Sequence, residues 1–141
     1  MHPKTFAKLP QWTSQQVFDY VVNALRKQGK PSVAKSGLIG AGTCKYRGPK
    51  GLKCAVGHLI PLSIYSREME GNNMSSLHWK QDAYPELAPL WPHSQLLSDL
   101  QAAHDDWGIC GMSDSAFEKR LRKIALERGL IYSPVPQESP A

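Results

Sequence analysis

The sequence predicts a mainly helical α+β domain in which about three main helices and several short ones pack with a small β-hairpin. Three observations lead to this prediction. Three segments carry apolar residues at helical spacing, one central segment alternates between apolar and polar residues, and Pro and Gly punctuate the chain between them. At 141 residues, with 41% hydrophobic and 21% charged residues, the chain fits a single domain.

The chain divides into three parts of unequal length. Residues 1–11 are expected to form an irregular arm, residues 12–132 a single globular domain, and residues 133–141 a disordered, proline-rich tail. No apolar run approaches the roughly 20 residues of a membrane-spanning helix, and the N-terminus lacks the pattern of a signal peptide. We therefore expect a cytoplasmic protein that does not enter a membrane.

The first main helix is predicted over residues 14–28. Thr13 and Gln16 have the spacing of a capping box at its start, and Gly29 supplies the stop. Apolar residues recur between them on one face, which is typical of a helix packed against a core. Residues 74–92 combine aromatic residues with prolines, and this mixture predicts short helical turns.

Two further helices are predicted over residues 93–107 and 114–128. The apolar stripe of the first places His104 on the buried side, whereas the second carries its lysines and arginines away from the apolar face. A short strand over residues 37–39 and a brief helix over residues 62–70 are expected between the longer elements.

Residues 44–61 form the segment around which the chain is organised. Pro49-Lys50-Gly51 fits a three-residue hairpin loop, a register that pairs Gly48 with Leu52 and Tyr46 with Cys54. Because strand side chains alternate, one face of this hairpin is expected to be core and the other a basic ribbon. The core face comprises Cys44, Tyr46, Leu52, Cys54 and Val56, and the basic ribbon comprises Lys45, Arg47 and Lys53.

A zinc site is one chemical interpretation of this segment. Cys44, Cys54 and His58 offer sulfur and nitrogen ligands, which Cys110, His78 or His104 would complete. The two cysteines are separated by nine residues, however, whereas the common zinc half-sites place them two to four apart. The competing interpretation is that the thiols are small apolar core residues, so we expect no cofactor and keep zinc as the alternative.

A nucleophilic thiol is the second chemical interpretation. Cys54 precedes a possible helix start and follows Lys53, both of which would lower its pKa, while His104 and Asp105 would supply a base and its orienting group. The same positions also fit the core, and the sequence contains no local motif of a thiol enzyme. We therefore expect a protein that is not an enzyme, with a thiol-dependent hydrolase or transferase as an alternative.

The net charge of +5 permits attraction to nucleic acid or to acidic protein surfaces, and it excludes a protein that imitates the charge of DNA. Two groups of cations are candidate binding residues, and the competing interpretation of the hairpin group is a solvated edge that blocks strand pairing. The candidates are Lys45, Arg47, Lys50 and Lys53 of the hairpin, and Lys119, Arg120, Arg122 and Lys123 of the last helix.

The run CKYRGPKGLKCAVGHLIP at residues 44–61, followed by Tyr65 and Met69-Glu70-Gly71, resembles a pattern in small proteins of tailed bacteriophages and prophages. An upstream amphipathic helix and a downstream helix like LLSDLQAAHDDW extend the resemblance over residues 12–107. It implies an accessory protein of a phage or mobile element, made in the bacterial cytoplasm. Such proteins commonly inhibit host machinery or defence systems stoichiometrically, and anti-CRISPR proteins are among them.

The function expected from residues and resemblance together is therefore binding rather than catalysis. The chain is predicted to be a stoichiometric inhibitor of a host protein or ribonucleoprotein, including a defence system such as CRISPR-Cas. A small basic nucleic-acid-binding protein is the alternative.

Overall fold

The structure, a computed structural model, describes residues 1–35 and 42–135. Those residues contain five α-helices, several 3-10 turns and one two-stranded antiparallel sheet, which confirms the predicted mainly helical α+β class. None of the described helices combines the length and apolar character that crossing a bilayer requires. The elements are α1 (Pro3–Ala7), α2 (Ser14–Gln28), β1 (Val33–Lys35), β2 (Gly42–Cys44), α3 (Met74–Trp79), α4 (Ser94–Ile109) and α5 (Asp114–Glu127).

Helix α2 occupies the predicted residues and has the predicted ends. Thr13 Oγ1 accepts a hydrogen bond from the Gln16 N–H at 3.1 Å, and Gln16 Oε1 accepts from the Thr13 N–H at 2.8 Å, which completes the capping box. Gly29 ends the helix in the left-handed conformation with φ 78°, where a side chain would be strained. Local signals therefore fix both ends of α2.

Helices α4 and α5 also lie where the apolar stripes predict them, with ends shifted by at most two residues. Helix α4 is central to the fold, since it packs against α3, α5, β2 and the 3-10 segment Pro85–His93. Both predicted stripes are buried. They comprise Leu96, Leu97, Leu100, Ala103, His104 and Trp107 on α4, and Phe117, Leu121, Ile124 and Ala125 on α5.

The expectation of an irregular arm over residues 1–11 is wrong. Helix α1 begins with Pro3 and is capped by the His2 side chain, and a 3-10 turn at Leu9–Gln11 follows it. The side chains of Phe6 and Leu9 are fully buried in the core. Burial of these two apolar side chains stabilises a helix that would be too short to persist alone.

The structure contains a β-hairpin, but not at the predicted place. Strands β1 and β2 pair antiparallel with Val33 opposite Cys44, upstream of the expected hairpin. At the expected hairpin, the Gly48 N–H does donate to the Leu52 carbonyl at 2.7 Å, but Pro49–Gly51 forms a 3-10 turn and no strand surrounds it. The predicted pairing of Tyr46 with Cys54 does not form in the described structure.

The remaining short elements differ in their agreement with prediction. Residues 74–92 form short helical turns as expected. The brief helix expected over residues 62–70 is only a 3-10 turn at Arg67–Met69, and the strand expected over residues 37–39 lies outside the described residues. Of the predicted tail, Ser133 contacts α2 through its carbonyl, and residues 136–141 lie outside the described residues.

Candidate functional site

Side chains from distant elements hold the backbone of residues 45–56. The Glu70 carboxylate accepts hydrogen bonds from the Tyr46 N–H at 2.9 Å and from the Arg47 N–H at 3.2 Å. The Tyr65 hydroxyl donates to the same carboxylate at 2.7 Å. Two backbone donors that a neighbouring strand would otherwise satisfy therefore have a carboxylate partner instead.

Three more polar side chains complete this support. The Gln28 amide pairs with both backbone polar groups of Lys53, each at 2.9 Å. Ser32 Oγ donates to the Leu52 carbonyl at 3.2 Å, and Gln101 Oε1 accepts from the Val56 N–H at 3.1 Å. Residues 45–56 are therefore held in a fixed conformation without belonging to a sheet.

Two glycines permit the close contacts of this segment. A Cβ on Gly48 would lie 2.2 Å from Ser32 Oγ, and a Cβ on Gly57 would lie 2.1 Å from the Tyr46 carbonyl oxygen. Both distances are far below van der Waals contact. Gly57 therefore requires glycine for packing against the Tyr46 backbone, whereas a side chain at Gly48 would displace the Ser32 hydroxyl.

The predicted zinc ligands Cys44, Cys54 and His58 do not assemble. Among the described residues, the one group of three potential ligands whose ligating atoms all lie within 4.8 Å of one another is Cys44, His104 and Asp105. This group joins β2 to α4 and borders a cleft of about 190 Å³. It deserves a chemical test because thiolate, imidazole and carboxylate all bind zinc.

The hydrogen bonds of His104 argue against a metal in this group. The Ser32 N–H donates to His104 Nε2 at 2.9 Å, so Nε2 presents its lone pair and the proton of the neutral ring lies on Nδ1. Nδ1 then donates to Asp105 Oδ1 at 3.1 Å. A metal on Nδ1 would force the proton to Nε2, against the Ser32 N–H. The cluster is therefore a structural hydrogen-bond network.

The same network separates the predicted thiol from its predicted base. Cys54 is fully buried, its sulfur accepts from the Gly57 N–H at 3.4 Å, and burial raises the pKa of its thiol. His104 Nε2 is occupied by a backbone donor and Nδ1 is protonated, so neither nitrogen can accept a proton from a thiol. Cys54 therefore packs in the core as a small apolar residue, in agreement with the interpretation that competes with a nucleophilic thiol.

Arg47 has a different environment from the three lysines near it in sequence. Its guanidinium lies over the Tyr65 ring at 5.5 Å from the ring centre, and one Nη donates to the Ile60 carbonyl at 2.9 Å. Its Nε is buried without a partner among the described residues. Arg47 therefore supports the fold, and the expected basic ribbon does not form.

The lysines remain available at the surface. Lys50 is exposed at the tip of the 3-10 turn, and Lys45 and Lys53 are half-buried. Sequence reasoning missed Lys30, which is also exposed. Gln28 Nε2 donates to the carbonyls of both Lys30 and Lys53, so the two lysines are spatial neighbours. This proximity depends on tertiary structure, and no local pattern could have indicated it.

We refer to Lys30, Lys45, Lys50 and Lys53 as the cationic surface. Within residues 1–35 and 42–135, none of the four forms an ion pair. Of these four lysines, Lys53 also acts on the half-buried His58. Burial, and after it the positive charge of Lys53, lowers the pKa of His58 to about 4.

The cations of α5 divide into two pairs. Arg120 is paired with Asp106 at 2.8 Å, and Lys123 lies 3.9 Å from Glu127. Lys119 and Arg122 are exposed and form no ion pair with a described residue. No hydrogen bond or ion pair joins α5 to residues 45–53 in the part of the chain that is described.

Comparisons with known proteins identify no relative of this chain. No protein-family profile matches the chain, and neither the curated proteins nor the solved structures include a significant match to it.

Proposed function

We propose that this protein is a stoichiometric binding protein whose cationic surface docks against an acidic surface of a host protein or ribonucleoprotein. The observation that carries the proposal is that the four lysines lie on chain segments joined by hydrogen bonds and that none has an ion-pair partner among the described residues. Lysines that are not neutralised within the chain leave a positive field that attracts an acidic partner and steers its approach.

The fixed backbone beneath the cationic surface supports the same proposal. Gln28, Ser32 and Gln101 bind the main chain of residues 52–56 before any partner arrives. Association therefore needs to order only the lysine side chains, and this lowers the entropic cost of binding. Lys119 and Arg122 on α5 are proposed as a second, separate contact.

The biological setting is also part of the proposal. The resemblance of residues 44–61 to a phage and prophage pattern favours an accessory protein that acts in the bacterial cytoplasm on host machinery or a defence system such as CRISPR-Cas. Inhibition by occupancy requires a rigid, charged surface rather than a reactive group. Cys54 and His104 are both buried, and the His104 ring is hydrogen-bonded to the Ser32 N–H, so neither presents a reactive group at the surface.

Affinity capture from lysate of phage-infected host cells tests the proposal. The variant Lys30→Glu/Lys50→Glu reverses two exposed lysines, and Lys4→Glu/Lys8→Glu changes the net charge equally at two other exposed lysines. We expect the wild type and the Lys4/Lys8 variant to capture the same partner in stoichiometric amount, and the Lys30/Lys50 variant to lose at least about tenfold in affinity. Equal capture by all three proteins would reject the cationic surface as the interface.

Nucleic-acid binding is the second candidate, because the same four lysines could neutralise phosphates. It predicts an affinity that falls steeply with salt and capture that nuclease treatment abolishes. Capture that survives nuclease treatment would assign the surface to a protein partner, whose electrostatic attraction also weakens with salt but does not require nucleic acid. A gel shift with a strong salt dependence would favour the second candidate.

A further inference from the structure

A separate groove lies between α3 and the start of α4. Its volume is about 570 Å³, and Trp79 stands at its edge with 88% of its surface exposed, more than any other large apolar side chain in the described residues. His78 borders the groove and stacks on Trp91, with ring centres 4.9 Å apart and planes inclined by 7°. An indole held at the end of a packed helix, and left almost fully in water, is a binding feature that the proposed function does not use.

The other residues that line the groove share one chemistry: each is neutral and can both donate and accept hydrogen bonds. None of their side chains forms a hydrogen bond to another described residue, whereas glutamine and serine side chains around residues 45–56 are nearly all engaged. They are Ser75, Gln81, Ser94, Gln95 and Ser98.

This composition restricts the ligand class. Neither lysine nor arginine lines the groove, so a phosphate or carboxylate would find no fixed counter-charge. An apolar peptide side chain would bury hydroxyl and amide groups without partners, at a cost of about 1–3 kcal/mol for each group. A suitable ligand presents a flat apolar face to the indole and many neutral hydrogen-bonding groups to the serines and glutamines.

We propose that this groove binds a neutral saccharide. A pyranose ring has an apolar C–H face that can lie on Trp79, and its hydroxyls both donate and accept, as do the side chains of Gln95 and Ser98. The groove lies on elements different from those that carry the cationic surface, so this inference goes beyond the proposed function and does not depend on it.

Calorimetric titration of the full chain with maltotetraose, cellotetraose and chitotetraose tests this inference. We expect at least one of these neutral oligosaccharides to bind with millimolar or tighter affinity and to shift the Trp79 indole N–H resonance. Trp79→Ala and Gln95→Ala should each weaken that binding, the former at least about tenfold. Leu126→Ala, which removes another exposed apolar side chain on α5, should leave it unchanged.

Three results would overturn the inference. One is failure of all three oligosaccharides to bind at millimolar concentration. Another is binding that neither Trp79→Ala nor Gln95→Ala weakens. The third combines two experiments: the wild type binds no saccharide, and Trp79→Ala no longer captures the protein partner. That result would show that the groove contacts a protein. Trp79 is so exposed that its replacement is not expected to unfold the chain.

Discussion

The side-chain amide of Gln28 pairs with both backbone polar groups of Lys53 as a neighbouring strand would. Gln28 Oε1 accepts from the Lys53 N–H and Gln28 Nε2 donates to the Lys53 carbonyl, each at 2.9 Å. The same Nε2 also donates to the Lys30 carbonyl at 2.7 Å. One residue at the end of α2 therefore positions two lysines of the cationic surface.

Replacing Gln28 with alanine should destabilise the protein and loosen the cationic surface. The variant loses two partly buried hydrogen bonds and one exposed hydrogen bond, and at about 1 kcal/mol for each buried one we expect a loss of about 2–3 kcal/mol in the free energy of unfolding. Urea denaturation measures this loss. Gln11→Ala is the control, since Gln11 is exposed and its side chain binds no described residue.

Amide exchange gives the second measurement on the Gln28→Ala variant. The Lys53 N–H should exchange faster than in the wild type, because its acceptor is gone. An unchanged exchange rate at Lys53, together with unfolding energies equal to those of Gln11→Ala, would contradict the role assigned to Gln28.

The Gln28 contact also explains where sequence reasoning succeeds and fails. Helices α2, α4 and α5 are predictable because helical period and caps are local signals, and the structure places these helices within two residues of prediction. The alternation of residues 44–56 is equally clear, but a strand needs a partner strand. Here Gln28, Glu70 and Gln101 satisfy the backbone instead. Their distance along the chain hides this role from any periodicity.

The candidate site shows the same limit. Alternation correctly separates buried Tyr46 and Cys54 from the lysines, yet it assigns Arg47 to the basic face with them. The acceptor of Arg47 is the Ile60 carbonyl, and the ring beneath it belongs to Tyr65. The backbone turn at Pro61, closed by the Tyr65 N–H, places both partners beside the guanidinium. Residue type and spacing therefore could not distinguish Arg47 from Lys45 or Lys53.

The tautomer of His104 is the next prediction. Because the Ser32 N–H donates to Nε2, the neutral ring should carry its proton on Nδ1. Long-range ¹H–¹⁵N correlation spectra distinguish the two ring nitrogens directly. We also expect added zinc not to raise the melting temperature, since a metal on Nδ1 would break this arrangement.

A protonated Nε2 at His104, or a zinc-dependent rise in melting temperature, would contradict the network. His104→Phe provides a further check, because it leaves the buried Ser32 N–H without an acceptor. The expected loss is about 1–3 kcal/mol in the free energy of unfolding.

The three thiols should differ in their reactivity toward iodoacetamide in the folded protein. Cys110 is exposed and should react first. Burial, reinforced by Asp105, raises the pKa of Cys44 to about 12, and burial raises the pKa of Cys54 as well, so both hold little thiolate near neutral pH. Mass spectrometry of the labelled peptides should find Cys54 modified only after unfolding. Rapid modification of Cys54 in the native state would instead support a thiol nucleophile.

Stability should fall on mild acidification because of His58. Burial, with Lys53 as the main neighbouring charge, lowers the pKa of this imidazole to about 4 from an ordinary value of about 6.5. Between these values the unfolded chain binds a proton that the folded chain does not, so the His58 contribution is complete above pH about 6.5 and is lost as pH falls toward 4.

Urea melts from pH about 7 to about 4.5 measure the His58 effect. In His58→Gln, the free energy of unfolding should fall less steeply with decreasing pH, because the unfolded chain no longer binds the extra proton of His58. The Glu118 carboxyl does not interfere in this range. Hydrogen bonds from Arg26 and Tyr132 outweigh its burial and lower its pKa, so its contribution is lost only in more acid solution. Parallel pH profiles for the wild type and His58→Gln would count against this assignment.

Arg26 should anchor the C-terminal segment of the described chain. Its guanidinium forms two hydrogen bonds to Glu118, at 2.9 and 2.8 Å, and one to the Ser133 carbonyl at 2.7 Å, and it lies over the Tyr132 ring. Arg26→Ala should therefore lose about 1.5–3 kcal/mol in the free energy of unfolding, the range for hydrogen bonds to charged groups. The Ile131 N–H, which donates to Gln15 at 2.8 Å, should exchange faster.

Arg120→Ala is the matched control for this pair. Arg120 forms one hydrogen bond to Asp106 with both side chains more than a third exposed, so solvent screens the interaction and its loss should cost less than about 1 kcal/mol. Equal losses in the two variants, or unchanged exchange at Ile131 in Arg26→Ala, would show that residues 131–133 do not depend on Arg26. A larger loss in Arg26→Ala that disappears when Glu118 is also replaced would identify the bidentate pair as the source of the stability.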